Sequence, residues 1–301
     1  MAVVRFTEHH IVSTMLALMT ETLAAKGFVQ GKNLEVKFFD AQNDMINLNA
    51  IAADVVNQGY DLIVTPTFPS FQAVAAANRA GKATQVFAVV ADPHTAGVGI
   101  KPNDPMGHPA YLVGVPIPIP AREALRLARR LSPKLQKVGA PFNPAEPNSQ
   151  IWTKAARETS QSAKFQLLEA SVNHSSDVAE AVQSLVSRGA EAILVCADST
   201  VLGAVPAVMK VAAGANIPVF SCMSNVTNFG SIFDVGVDMI VHGREVGELV
   251  AQILSGTSPA KIPLRSTTAK RFIVNEEVFR RFQDRWVLPQ EVSDLAEIIE
   301  K

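Results

Sequence analysis

The sequence predicts an α/β fold in which two successive halves each build a parallel sheet covered on both faces by helices. Three observations carry that prediction. Short β-rich apolar runs alternate with longer amphipathic stretches along the chain. The apolar runs are nearly continuous rather than alternating, as in strands buried on both faces. The alternation breaks once, in a proline-rich segment at 101–120, and then restarts. Repeated β-α-β at this spacing is the pattern of a doubly wound parallel sheet.

Taken in order, run 3–6 leads into the amphipathic stretch 11–26, which stops at Lys26-Gly27. A cation followed by glycine suits a helix C-terminus, because the last carbonyls carry partial negative charge and glycine accepts the left-handed turn. Strand 34–39 precedes helix 45–58, strand 62–64 precedes a polar turn and a helix, and strand 85–90 follows. Within 101–120, Pro102, Pro105, Pro109, Pro116, Pro118 and Pro120 cluster around the apolar stretch 111–119. Proline fixes φ and donates no ladder bond, so no central strand is expected there, and the segment reads as a boundary between halves. The second half then offers helix 121–131, strand 137–140, helix 150–163, strand 165–169, helix 176–188, strand 192–196, helix 201–214 and strand 218–221. Ser175-Ser176-Asp177 supplies an N-cap, and Arg188-Gly189 a stop, for helix 176–188. The halves run in parallel. Segments 5–31 and 140–164 each read strand, polar loop, helix; 61–80 and 191–214 repeat that order with a shorter turn.

Composition narrows the function. At 301 residues, 48% of them hydrophobic, the chain suits two lobes of ordinary domain size. A formal charge of -1 gives no electrostatic footprint for nucleic acid, and the groups Arg126/Arg129/Arg130 and Arg280/Arg281 read as solvated helix faces. No apolar run approaches the ~20 residues that cross a bilayer. Residues 1–6 enter a strand with no charged n-region or cleavage site, so the chain is either cytosolic or has lost a signal segment. Cys196 and Cys222 each close a strand-like run; two small buried side chains are the default reading, and a disulfide between neighbouring strand ends is the alternative.

In open α/β sheets, ligands bind beyond the carboxyl ends of the strands. There the first half places Thr7-Glu8-His9-His10, Thr65-Pro66-Thr67-Phe68 and Ala91-Asp92-Pro93-His94. The second half places Asn143-Pro144-Ala145-Glu146-Pro147-Asn148-Ser149, Asp198-Ser199-Thr200 and Met223-Ser224-Asn225. Nearly every strand therefore ends in hydroxyl, amide or carboxylate side chains, which form hydrogen-bonding arms for a small ligand. Capping alone accounts for Thr200 and for one of Thr65 and Thr67. A catalytic role is not expected: the chain has no G-x-S-x-G elbow, no Walker A loop and no G-x-G-x-x-G after the first strand. His9-His10 lacks the spacing of a metal site, and no cofactor is implied.

These loops, with Gly27-Phe28-Val29-Gln30-Gly31-Lys32-Asn33, Asp61-Leu62-Ile63-Val64 and Ile217-Pro218-Val219-Phe220, span nearly the whole chain. In order and spacing the chain resembles the ABC transporter substrate-binding protein family that includes binders of tryptophan and other aromatic amino acids. The resemblance implies the type I periplasmic-binding-protein fold: two Rossmann-like lobes with parallel sheets, joined by three hinge crossings. The crossings would fall near 114–118, 234–238 and 264–272, with helix 239–254 returning to the first lobe. That places 1–115 plus 238–266 in lobe 1 and 116–237 plus 267–301 in lobe 2. It implies ligand contacts from Glu8, His9, Thr65, Thr67, Phe68 and Asp92 on one lobe. On the other it implies Asn143, Asn148, Ser149, Asp198, Ser199 and Ser224, with Asp238 near the hinge. Asp198 is the candidate for a ligand ammonium, and Phe6 or Phe68 for an apolar wall.

The resemblance further implies an amino-acid ligand, aromatic favoured, and ABC permease subunits as partners. The location would be periplasmic, or extracellular and membrane-anchored, with a signal segment removed. The rival reading is the effector-binding core of a transcription regulator without its DNA-binding segment. The chain departs from the family at His10, where proline is usual, and at Phe142, where tyrosine is usual. It departs again in Ser221-Cys222-Met223-Ser224-Asn225, where an aspartate-rich run is usual, and at Met239, where tyrosine is common. These changes fall on ligand loops and leave open which amino acid, or other small polar-aromatic molecule, is bound.

Overall fold

The computed structural model describes residues 1–224 and 226–300, so Asn225 of the last loop quoted above lies outside the described residues. The chain divides into two compact units: unit 1 holds Met1–Pro118 and Met239–Ala269, and unit 2 holds Ile119–Asp238 and the chain from Lys270 onward. In order, unit 1 carries β1 (Ala2–Arg5), α1 (His10–Ala25), β2 (Lys37–Asp40), α2 (Met45–Asn57), β3 (Ile63–Thr65), α3 (Phe68–Ala77), β4 (Gln85–Val90) and β5 (Leu112–Pro116). Unit 2 follows with α4 (Ala121–Leu131), β6 (Lys137–Phe142), α5 (Pro147–Ala163), β7 (Gln166–Ser171), α6 (Val178–Ser187), β8 (Ala192–Val195), α7 (Ser199–Leu202), α8 (Val205–Gly214), β9 (Val219–Ser221) and β10 (Phe233–Val237). The chain returns to unit 1 for α9 (Met239–Leu254), then ends in unit 2 with β11 (Lys270–Asn275), α10 (Glu276–Arg281), α11 (Gln290–Ser293) and β12 (Glu297–Ile299).

Unit 1 is built on a five-stranded sheet of order β2-β1-β3-β4-β5, parallel throughout. The proline-flanked stretch does form a strand, β5, but at the sheet edge, where only β4 needs a ladder partner. The helix pair α1 and α9 explains a sequence feature that motif reading passed over. Gly243 and Gly247, one turn apart on α9, leave room for α1. A Cβ on Gly243 would stand 2.8 Å from the Met15 carbonyl oxygen, and one on Gly247 2.9 Å from that of Met19. The two backbones therefore approach as only glycine permits, and Ile11, Val12, Met15, Leu16, Met19 and Leu23 form the buried face of α1.

Unit 2 has a seven-stranded sheet of order β12-β11-β10-β9-β8-β6-β7. All neighbours are parallel except β10 and β11, which run antiparallel from Phe233↔Val274 to Val237↔Lys270. The sheets are parallel as expected apart from this one pair, and the sequence does not mark β10, β11 and β12 as strands. Their core packs Phe220 on Phe233 with ring centroids 5.2 Å apart, beside the buried Trp286. The register of β8 on β9 pairs Val195 with Ser221, so the next residues, Cys196 and Cys222, fall opposite one another. They form a disulfide with Cα atoms 4.9 Å apart, which corrects the default reading of two separate thiols. Among the described residues, no helix is long and apolar enough to cross a membrane.

Candidate functional site

In unit 1, the loop between β1 and α1 presents Glu8 at the surface and His9 inside. The Glu8 carboxylate accepts the Ser13 hydroxyl at 3.3 Å and pairs with Arg5 at 3.4 Å. His9 is the N-cap of α1; its carbonyl accepts Ser13 N at 3.0 Å, but its ring makes no capping bond. The ring is only 6% exposed, and Nδ1 has no hydrogen-bond partner. Burial, with the His10 and Arg5 charges adding to it, pushes the His9 pKa down to about 3, so the imidazole is neutral.

Thr65 is committed within the sheet: its hydroxyl donates to Val86 O at 3.3 Å and accepts Gln85 Nε2 at 3.2 Å. Thr67 heads α3, where its hydroxyl pairs with that of Ser70 at 3.0 Å. Phe6 and Phe68 are both core side chains, at 3% and 0% exposure, and Phe68 stacks edge-on against Phe71. Asp92 accepts His94 N at 3.1 Å and remains half-buried beside a cavity of about 510 Å³ shared with His94, Asn103, Asp104, Pro116 and Ser266.

Unit 1 also holds a network that the sequence does not reveal. Val89 sits at φ 54, where the register of β4 on β5 shifts, and turns its N–H toward Nε2 of His242 on α9 at 3.3 Å. His242 Nδ1 is 2.7 Å from the Thr267 hydroxyl, which in turn donates to Glu245. Because Nε2 accepts and Thr267 gives its own proton to Glu245, the ring is neutral and donates from Nδ1. Burial holds its pKa at about 3. A buried neutral histidine favours the folded state above the unfolded value of 6.5 and loses that contribution as pH falls toward 3. Compared with a His242→Gln variant, whose amide keeps an acceptor and a donor, the wild type is expected to lose about 2 kcal/mol more stability between about pH 7 and 5. Urea unfolding of both proteins at each pH reads the difference. It must be read as a difference, because buried carboxyls in unit 2 slope the opposite way. Asp234, held by Ser231 and Thr227 and pushed up to about 7 by burial, contributes stability below 3.8 that is lost as pH rises through 7.

In unit 2, the loops after β6 and β8 are bonded to each other. Asn143 N donates to Asp198 Oδ2 at 2.5 Å, its side-chain amide donates to the Thr200 hydroxyl at 3.0 Å, and Ser149 Oγ donates to the same Asp198 oxygen at 2.5 Å. The other Asp198 oxygen caps α7 by accepting Val201 N at 2.9 Å. In the opposite direction Glu146 accepts Ser199 N at 2.9 Å, Thr200 N at 3.0 Å and the Thr200 hydroxyl at 2.9 Å. Asp198 is 1% exposed and Glu146 3%. Burial raises the pKa of both, and the Asp198 charge pushes Glu146 further, to about 8. Asp198, expected to take a ligand ammonium, thus has its oxygens occupied by unit 2's own donors. Asn148 and Ser149 lie in the first turn of α5, both buried. Ser224 donates to Val237 O at 2.5 Å, which ties its loop to the end of β10, and the half-buried Asp238 follows β10 directly. Among the described residues, no cluster of three or more His, Cys, Asp or Glu side chains is placed to hold a metal ion.

The bonds made by the strand-end side chains are of two kinds. Asn143, Thr65, Thr67, Asp198 and Ser224 bond to their own unit, whereas Glu8, His9 and Asp92 keep polar atoms or surface to spare. Glu146, which is not among the expected site residues, accepts three hydrogen bonds, as many as Asp198.

Known proteins resemble the whole chain. The profile of a family described as ABC transporter substrate binding protein matches residues 1–297. A tyrosine-binding protein of Clostridioides difficile is 29% identical over 260 residues, covering 86% of this chain and 74% of the relative. A solved structure from Streptococcus pneumonia, in complex with L-Trp, superposes with a TM-score of 0.88 at 21% identity, over 99% of both chains. A conserved domain protein from Vibrio cholerae superposes with a TM-score of 0.89 at 25% identity, over 99% of this chain and 98% of the other.

Proposed function

Since the chain belongs to the ABC transporter substrate-binding protein family, we propose that it captures an aromatic amino acid and presents it to an ABC permease. The observation that carries this reading is the gathering of polar strand-end loops in both units of a chain whose relatives include a tyrosine binder and a protein solved with L-Trp. The family match favours this reading over the effector core of a transcription regulator. Family members act outside the cytoplasmic membrane; we extend to this chain the permease partner and export by a signal segment or lipid anchor.

In this proposal the ligand carboxylate is taken by backbone N–H groups at the start of α5, where the helix dipole favours negative charge. The Glu8 and Asp92 carboxylates are left for the ammonium, since the oxygens of Asp198 are occupied. His9 contributes a neutral ring whose open Nδ1 accepts or donates one hydrogen bond. Asn148, Ser149 and Ser199 supply the polar contacts of unit 2. Binding acts by differential affinity for the liganded conformation and needs no chemical step.

A thermal-shift series with L-tyrosine, L-tryptophan, L-phenylalanine, a sugar and a nucleoside tests the reading. A specific ligand at about 100-fold excess over its Kd is expected to stabilise the fold by ~2.7 kcal/mol and raise Tm by several degrees. A rise with the sugar or the nucleoside, and none with the amino acids, would replace the proposed substrate class.

A further inference from the structure

We propose that Glu146 is a positioning residue of the ligand site: with Asp198 it forms a crosswise clamp that sets the loop after β6 against the start of α7. The inference rests on the reading of these loops as ligand-binding. Three observations carry it.

First, the bonding is reciprocal. Glu146 comes from the β6–α5 loop and accepts from Ser199 and Thr200 at the start of α7. Asp198 comes from the β8–α7 loop and accepts from Asn143 and Ser149 at the start of α5. Each loop is thus fixed by a carboxyl group of the other, and the residues so fixed, Ser149 and Ser199, are proposed ligand contacts.

Second, both carboxyl groups are buried in these bonded loops, which raises the pKa of each, and the Asp198 charge raises that of Glu146 further. Two like charges buried side by side are disfavoured, so the pair holds one proton at neutral pH. Third, both groups are buried with no cation to offset a second charge. Among the described residues, the charge that acts on Glu146 is that of Asp198. Around them, α5 carries Lys154, Arg157 and Glu158 at the surface. The turn whose Ser175 donates to Thr200 O at 2.9 Å carries an exposed His174 and a half-buried Asp177 that caps the turn's own backbone. Helix α7 has no ionisable side chain, and Cys196 and Cys222, bonded as a disulfide, do not titrate.

With Glu146 raised to about 8, the pair holds its proton at neutral pH and loses it above that value. The clamp is then fully formed at low pH and opens by like-charge repulsion as pH rises through 8.

The experiment compares wild type, Glu146→Gln and Glu146→Asp by titration with L-tyrosine and L-tryptophan across this range. The wild-type Kd is expected to rise about tenfold between about pH 7 and 9 relative to Glu146→Gln, whose amide does not ionise and whose weaker fit to the Ser199 and Thr200 donors is the same at every pH. Titration of the ligand's own amine is common to both proteins and cancels in that ratio. Glu146→Asp, one methylene too short, is expected to bind more weakly at every pH. Infrared spectra should show a protonated-carboxyl band at neutral pH that Glu146→Gln lacks. Equal pH slopes in wild type and Glu146→Gln, or no such band, would overturn the clamp.

If wild type binds neither amino acid, the ligand reading fails, and the clamp is judged without it. Trp152 and Trp286, the only two tryptophans, both lie in unit 2, so tryptophan fluorescence follows that unit's unfolding. A midpoint that falls above about pH 8 in wild type, and not in Glu146→Gln, supports the shared proton; parallel profiles contradict it.

Discussion

Replacing Asp198 with alanine is expected to cost unit 2 about 3–5 kcal/mol and to weaken amino-acid binding by at least about tenfold. The change strands Asn143 N, Ser149 Oγ and Val201 N, three buried donors that now share one carboxylate. Each unpaired buried donor costs ~1–3 kcal/mol, and part of the total returns because Glu146 loses a like charge beside it. Asp198→Asn should lie between the two proteins. Its amide can face either the Val201 N–H or the Asn143 and Ser149 pair, and it meets a donor whichever way it is turned. The midpoint of the tryptophan-reported transition in urea, at unchanged slope, measures the loss. An alanine variant as stable as wild type, binding amino acids as tightly, would mean that these loops are held by something other than the Asp198 carboxylate.

The second large effect is expected at Gly236→Ala. A Cβ on this β10 residue would overlap the backbone of Met223 and Ser224, where no side-chain rotation relieves the clash. Overpacking of a close-packed interior costs ~1–3 kcal/mol when side chains can move aside, and backbone contacts put this site at the upper end or beyond. The Ser224 loop must shift, so loss of stability should be accompanied by weaker binding even when the protein is saturably folded at low temperature. Gly243→Ala, which crowds α1 against α9 in unit 1, is the matching control. It should lower stability without moving the tryptophan-reported transition of unit 2.

The fold was legible where pattern and packing agree. Residues 121–131 read as a helix with the limits the structure gives it, because their apolar residues recur at helical spacing; helix 239–254 has the limits the resemblance implied. The three late strands were not legible for physical reasons. β10 spans five residues beside a unit boundary and reads as a crossing; β11 opens with Lys270 and Arg271; β12 has three residues. Each becomes a strand through its neighbours in the sheet rather than through its own sequence.

The candidate site divides along the same line. Strand-end loops can be found from sequence because a polar string follows each apolar run. Which of their side chains face a ligand cannot, because that depends on partners far along the chain. Glu146 reads as one more polar residue between Asn143 and Ser149; its role comes from Ser199 and Thr200, 53 and 54 positions later. His242 reads as a helical histidine of no distinction, and only the turned Val89 N–H, 153 positions earlier, reveals it as an acceptor. Phe6 and Phe68 show the converse. An aromatic residue at a strand end suggests a ligand wall, yet both rings are buried in core clusters.

The central claim is that the chain binds one aromatic amino acid. Calorimetric titration of the intact chain with L-tyrosine and L-tryptophan tests it directly, alongside His9→Ala in unit 1 and Asn148→Ala in unit 2. The account predicts a single binding event at one ligand per chain, weakened by either substitution, each removing a hydrogen bond worth ~1–3 kcal/mol. Absence of heat with both amino acids, or an affinity that neither substitution changes, would contradict it.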